Sequence, residues 1–133
     1  MSQPLIYLDS SDVQEGALDE LRGAISELVA FIEANEPRIL AYNIYLSDDG
    51  RRMTVFHMHA DAASLDFHME VGGPAFRRFE PLISLSSIRV FGEPSERARR
   101  LLCEKARMLG GGEVLVESLQ AGFNRLSGAG SAR

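Results

Sequence analysis

The sequence has little of what marks several large classes of protein. Its 133 residues include one cysteine, Cys103, so no internal disulfide can form, and this favours a reducing, cytoplasmic setting. No apolar run reaches the roughly 18 residues that a membrane-spanning helix needs. The first eight residues lack a basic region and a long apolar region, so we expect no signal peptide.

The chain also has fewer basic than acidic residues. The chain has 14 lysines and arginines against 19 aspartates and glutamates, a net charge of −5 at pH 7. Nucleic acids and anionic membranes attract proteins with a positive field. We therefore expect neither nucleic acid nor membrane among the partners.

What is present is the composition of an ordinary globular domain. Hydrophobic residues make up 45% and charged residues 25% of the chain. The length suits one domain, which we place at residues 1–126. The small and polar residues 127–133 predict a flexible C-terminal tail.

Apolar periodicity predicts an alternation of strands and helices. Strands are expected at Pro4–Leu8, Ile39–Leu46, Met53–Ala60, Ile83–Phe91, Val114–Glu117 and Ala121–Leu126. Helices are expected over Gly16–Asn35, from the cap Asp61 to about Val71, and from the cap Ser95 to about Leu109. The polar run Asp9–Asp12 should end the first strand, and Gly72-Gly73-Pro74 should end the second helix.

This order of elements is that of a split β-α-β unit, which predicts an α+β, ferredoxin-like domain with a mostly antiparallel sheet. Helices would cover one face of the sheet. The strands nevertheless offer apolar side chains to both faces, as with Tyr42 against Tyr45 and Val55 against Phe56. A homodimer packed through the uncovered sheet faces is the simplest way to bury them.

Several short segments, in this order and spacing, resemble one protein family. They are Glu33–Pro37, Leu40–Tyr42, Tyr45–Gly50, Ala60–Ser64 with His68, Phe91–Ser95 and Ala121–Phe123. The chain resembles the antibiotic biosynthesis monooxygenase-like family, which are dimeric α+β barrel proteins that include quinol monooxygenases. The resemblance implies oxidation of a small aromatic phenol or quinol by O₂ without a cofactor or metal. Related barrels that degrade haem typically use a tryptophan together with an asparagine and a histidine; this chain has no tryptophan, and Tyr7 stands where that asparagine would be, which disfavours haem degradation.

Three histidines are the candidate catalytic residues. His57 and His59 are two apart on a predicted strand and share one face, and His68 matches a histidine frequent in the family. Family members often carry Glu-x-Tyr or Glu-x-Trp where this chain has His57-Met58-His59. Three interpretations stay open: hydrogen-bonded interior histidines, a base or substrate contact centred on His68, and a three-histidine metal site.

Aromatic and amide side chains near these histidines are the candidate substrate-binding residues. They are Tyr42, Asn43, Tyr45, Phe67, Phe76 and Phe79. The alternative, which residues of these types more often follow, is that each is a core or interface residue. The sequence thus predicts a cofactor-independent monooxygenase-like protein with a small aromatic ligand, and the alternative is a non-catalytic homodimeric binding protein of the same fold.

Overall fold

The computed structural model describes residues 3–126. Five strands and three helices follow one another along the chain, with a short 3₁₀ turn at Arg77–Phe79. They are β1 (Leu5–Val13), α1 (Leu18–Asn35), β2 (Ile39–Leu46), β3 (Arg52–His59), α2 (Ala62–Phe76), β4 (Ile83–Phe91), α3 (Glu96–Met108) and β5 (Glu113–Glu117). No helix in this part of the chain combines the length and apolarity needed to cross a membrane.

The strands form one sheet in the order β2-β3-β1-β4-β5. β1 pairs antiparallel with both β3 and β4, β2 pairs antiparallel with β3, and β5 joins β4 in parallel through the crossover helix α3. The first four strands therefore have the ferredoxin-like order, which confirms the predicted α+β fold class. Alternate residues of each inner strand are buried, so the helices cover one face of the sheet only.

β1 is longer than the sequence predicted. Asp9, Ser10, Ser11 and Asp12 do not end the strand; they stay in register with β3 and β4. The strand tolerates them because Asp12 points outward to Arg52, 2.8 Å away, whereas Asp9 points inward and lies near a buried lysine described below. The predicted strand end is therefore wrong, because it was based on the polarity of these residues without their partners.

α2 also runs past its predicted end. It passes through Gly72-Gly73-Pro74 and ends at Phe76, with Pro74 inside the helix. A residue before proline normally avoids the helical conformation because its Cβ meets the proline ring, and Gly73 has no Cβ. Gly72 is needed for close packing, since a Cβ there would lie 3.2 Å from the Phe76 ring. Burial of this last turn overrides its low helical propensity.

The C-terminal end of the described chain holds one strand fewer than predicted. β5 confirms the strand expected near Val114, but Ala121–Leu126 forms no strand. Residues 118–126 are exposed, and they include Leu119, Phe123 and Leu126. The predicted tail, Ser127–Arg133, lies outside the described residues.

The sheet face away from the helices is apolar over several neighbouring strands. We call it the open face. Its half-buried apolar side chains are Ile6, Leu8, Phe56, Met58 and Phe91, which meet as cross-strand pairs such as Ile6 with Met58 and Leu8 with Phe56. Tyr45 and Leu115 on the same face are 56% and 40% exposed.

Candidate functional site

The three histidines come together on the helix-covered side of the sheet. His57 and His59 lie on β3 in phase with the buried Val55, and His68 lies on α2. All three are 0% exposed. The centroid of the His57 ring lies 4.8 Å from that of each of the other two histidines. The structure thus unites the three predicted catalytic residues in one buried cluster.

Most ring nitrogens of the cluster are hydrogen-bonded. His57 Nδ1 lies 2.7 Å from His59 Nε2, and His59 Nδ1 lies 2.8 Å from Ser64 Oγ. His68 Nδ1 lies 2.8 Å and 3.0 Å from the two carboxylate oxygens of Glu36, so it can donate to that carboxylate. The Nε2 atoms of His57 and His68 have no partner among residues 3–126.

Burial sets the protonation of this cluster. It lowers the pKa of His59 and of His68 to about 3, and it lowers the pKa of His57 well below its ordinary value. Neighbouring imidazoles add to the effect on His57 and His59. Burial raises the pKa of Glu36 to about 7. At neutral pH the histidines are therefore uncharged, able to accept a proton but only weakly basic.

A layer of aromatic rings adjoins the histidines. The Tyr7 ring centroid is 3.8 Å from that of His57, and the Tyr42 centroid is 5.0 Å from it. The Phe76 ring centroid is 5.4 Å from that of His68. Tyr42 and Phe76 also face the cavity described next, so these two rings connect the cluster with it.

An interior cavity of about 30 Å³ lies between the sheet and the helices. Its lining includes Tyr42, Phe76 and Phe79, three of the predicted substrate-binding residues, together with Asp9 and Lys105. The rest of the lining is aliphatic and comes from Leu28, Ile44, Met53, Val55, Ile83, Leu85 and Leu109. The histidines do not line it. The free volume is that of about one water, on the basis of roughly 30 Å³ per water.

The other predicted substrate-binding residues lie elsewhere. Asn43 and Tyr45 alternate with Tyr42 on β2 and point to the open face. Phe67 lies on α2 and is 45% exposed. The structure therefore does not bring these three residues to the cavity with Tyr42, Phe76 and Phe79.

Asp9 and Lys105 form a buried charge pair that the sequence interpretation missed. Lys105 Nζ donates to the Tyr7 hydroxyl at 2.6 Å and lies 3.6 Å from Asp9 Oδ2. The sequence pattern nonetheless indicates that both side chains face the interior. Asp9 follows Leu5 and Tyr7 on the inward phase of β1, and Lys105 stands four residues after Leu101, on the apolar side of α3.

A second depression is a groove of about 320 Å³ between α1 and β2. Glu36 and Tyr42 are among its lining residues. Tyr42 is a lining residue of both the groove and the interior cavity. Glu36 connects the same groove with His68 by a hydrogen bond.

Metal binding has no geometric support in the part of the chain described. Within residues 3–126, no three histidine, cysteine, aspartate or glutamate side chains are arranged to hold an ion. Two nitrogens of the histidine cluster are already engaged with each other, and two more with Ser64 and Glu36.

The fold is one that other proteins of known structure share. No protein-family description matches the chain, and no curated protein matches it in sequence. Solved structures do match. MupZ from Pseudomonas fluorescens is 19% identical with a TM-score of 0.73, over 94% of this chain and 97% of MupZ.

Two further matches carry a stated activity in their names. A "putative antibiotic biosynthesis monooxygenase" from Caulobacter crescentus is 20% identical with a TM-score of 0.60, over 67% of this chain and 88% of its own. SnoaB, a cofactor-independent oxygenase from Streptomyces nogalater, is 14% identical with a TM-score of 0.59, over 71% of this chain and 96% of its own. The predicted resemblance is thus confirmed for the fold: the chain has the fold of the antibiotic biosynthesis monooxygenase-like proteins.

Proposed function

We propose that the chain is a cofactor-independent oxygenase that oxidises a small aromatic phenol or quinol with O₂. The observation that carries this proposal is the interior cavity, whose aromatic walls adjoin buried ionisable groups. Such a site combines an apolar binding surface with groups able to move a proton. The shared fold with SnoaB, named as a cofactor-independent oxygenase, supports the same class of chemistry.

In this chemistry the substrate supplies the electrons. A phenol with a free ring position gives a quinone: one atom of O₂ becomes the new carbonyl oxygen, and the other leaves as water with the hydroxyl hydrogen and the ring hydrogen. The protein's tasks are to bind the ring, remove the hydroxyl proton and keep bulk water out. No flavin, haem or metal takes part in the proposed reaction.

The histidines keep their predicted place in this proposal. His68 is the predicted base or anchor, because its Nε2 has no partner among the described residues and its ring contacts both Tyr42 and Phe76. His57 and His59 would hold the interior around it through their mutual hydrogen bond.

Substrate entry requires the cavity to expand, since its present volume is smaller than an aromatic ring. The segment that carries Phe76 and Phe79 is the candidate moving part. It follows Gly72-Gly73-Pro74, where the helix has low intrinsic stability and lacks the backbone donor of Pro74. We propose that displacement of this segment opens the cavity to substrate.

A non-catalytic binding protein is the second candidate. Two observations favour it: His57-Met58-His59 replaces the polar and aromatic residues frequent in the family, and burial makes the histidines weak bases by holding the pKa of His59 and His68 near 3. Such a protein would bind the same aromatic ligand without consuming O₂.

We also propose a homodimer packed through the open faces. Burying Leu8, Phe56 and their neighbours against a second copy would remove a contiguous apolar surface from water. A twofold arrangement makes the same surface self-complementary.

The deciding experiment incubates the protein with a panel of phenols and quinols with and without O₂. An oxygenase gives an O₂-dependent quinone that carries one isotope-labelled atom when labelled O₂ is used. No turnover across the panel, with ligand-induced melting shifts retained, would instead identify a binding protein.

A substitution then tests the histidine in this reaction. We expect His68→Ala to lower kcat by roughly 10²–10⁴-fold, the range typical of a lost acid–base group. The control is Phe31→Ala on the outer surface of α1, where Phe31 is 39% exposed and is not among the residues that line the cavity. Equal rates for both variants would remove His68 from the mechanism.

A further inference from the structure

We propose that Asp9 and Lys105 are the catalytic pair of the cavity: Asp9 accepts the hydroxyl proton of the substrate and Lys105 binds the resulting oxyanion. This inference rests on the proposed function and deepens it: Asp9 and Lys105 take the hydroxyl proton and the oxyanion, and the role left to His68 is the later removal of the ring hydrogen as a proton. The implied substrate class is acidic hydroxy compounds, phenols or enols, that react as their anions.

The first support is position. Asp9 and Lys105 both line the cavity, which the histidines do not. They are 4% and 8% exposed, so the cavity is the space from which a ligand could reach them. A hydroxyl group placed there would meet a carboxylate and an ammonium group together.

The second support is unused hydrogen-bonding capacity. An ammonium group has three donors. Within residues 3–126 Lys105 Nζ makes one hydrogen bond, to the Tyr7 hydroxyl, and its 3.6 Å separation from Asp9 Oδ2 is too long for another. A buried cation with free donors beside a cavity is suited to bind an oxyanion.

The third support is the charge state of the lysine. Nζ lies 4.0 Å from the centroid of the Phe76 ring and 4.9 Å from that of Tyr7, and both ring faces favour a cation. Burial lowers the pKa of Lys105, but the Asp9 carboxylate opposes that shift. Burial raises the pKa of Asp9, which makes it a better base than an exposed aspartate.

The proposed step conserves charge within the site. The O–H bond of the substrate breaks, a new O–H bond forms on Asp9, and the negative charge passes from the carboxylate to the substrate oxygen. Lys105 then faces the substrate anion in place of Asp9. Tyr7 remains the hydrogen-bond partner that fixes the lysine.

The test uses 4-nitrophenol, whose ionised form is yellow and whose neutral form is colourless. At a pH where the free probe is mostly neutral, binding to the wild-type protein should increase the yellow absorbance. We expect the apparent pKa of the bound probe to fall by about one unit, a tenfold change in its ionisation equilibrium. Nearby titratable groups are Tyr7, Tyr42, His57 and His68, and each stays in place in the variants.

Substitutions assign the effect to the pair. Lys105→Met and the double variant Asp9→Asn/Lys105→Met should both bind the probe without the shift; the double variant avoids leaving an unpaired buried carboxylate. Asp9→Asn should keep or enlarge the shift, because the lysine loses its internal counterion, while kcat on a true substrate falls. The matched control is Arg107→Met, an exposed cation on the same helix, which should behave as wild type.

The outcomes separate this inference from the proposed function. No shift in the wild-type protein, or a shift that survives in the double variant, would overturn the assignment of Asp9 and Lys105 even if phenol oxidation is observed. A lysine-dependent shift without O₂ consumption on any phenol would support the anion site and contradict the oxygenase function.

Discussion

Buried ionisable side chains in this protein occur as coupled groups. Glu36 is hydrogen-bonded to His68, and Asp9 and Lys105 share the neighbourhood of Tyr7. Isolated buried charges are costly, whereas a partner lets one proton or one charge be shared.

The Glu36–His68 pair predicts a specific dependence of stability on pH. Folding raises the pKa of Glu36 from 4.5 to about 7, so the folded state binds more protons than the unfolded state in that window. The stabilisation from a protonated Glu36 is complete below about 4.5 and is lost as pH rises through about 7. Glu36→Gln keeps the oxygen that His68 contacts but cannot ionise.

We therefore expect the stability of Glu36→Gln relative to wild type to improve by roughly 1–3 kcal/mol between pH 4 and pH 8. Urea unfolding at a series of pH values measures the difference. The exposed Glu33→Gln serves as the control on the same helix. A difference that is independent of pH would show that Glu36 does not titrate in this way.

At the scale of single residues, the sequence predicted the histidine cluster because strand alternation places His57 and His59 on one face. The same alternation separates Tyr42 from Asn43 and Tyr45, which the prediction had grouped by proximity along the chain. The sequence does not predict that Lys105 is buried, because a lysine is ordinarily solvated. Its burial depends on Asp9 and Tyr7, and no local pattern reveals a partner so distant in sequence.

At the scale of elements, local propensity correctly predicts most of the helix and strand boundaries. It fails at two of them, the end of β1 and the end of α2. α1, β2, β4 and the caps Asp61 and Ser95 agree with the sequence prediction, since periodicity and capping are local signals. β1 and α2 extend through residues that usually end such elements. In each the deciding contacts come from other parts of the fold.

The proline inside α2 yields a prediction for this element. Pro74 cannot donate a backbone hydrogen bond, and its ring crowds the preceding turn. Pro74→Ala should restore that bond, stabilise the protein by roughly 1 kcal/mol or more, and slow the binding of a phenol probe by restraining Phe76.

The control for this substitution is Pro37→Ala, in the exposed turn after α1. Loss of that proline should be neutral or destabilise by roughly 0.4–1 kcal/mol, because the unfolded chain gains freedom. Urea midpoints and stopped-flow binding rates give both quantities. Unchanged or faster probe binding in Pro74→Ala would argue against opening at this segment.

At the scale of the whole molecule, the open face is an apolar surface that no helix of the described chain covers. Its apolar residues lie on adjacent strands, and the helices lie on the other side. The sequence predicted this imbalance from the two-sided apolar strands, and the structure places the side chains as expected. The association of two copies remains a prediction.

Phe56→Arg tests that association. Placing a charge near the centre of the open face should convert a dimer to a monomer at micromolar concentration, because an arginine cannot be buried there without a partner. Sedimentation velocity measures the mass. Phe31→Arg, an equivalent change on α1, should leave the mass unchanged; a wild-type protein that already sediments as a monomer would end the dimer proposal.

The contact between Lys105 and Tyr7 joins positions 98 residues apart. Tyr7 and Asp9 lie on β1, whereas Lys105 comes from α3, after all four ferredoxin-like strands. The proposed anion site therefore joins the first strand to a segment outside the ferredoxin-like unit. A chain cut between Phe91 and Glu96 would keep the carboxylate of Asp9 and have no cation to face it.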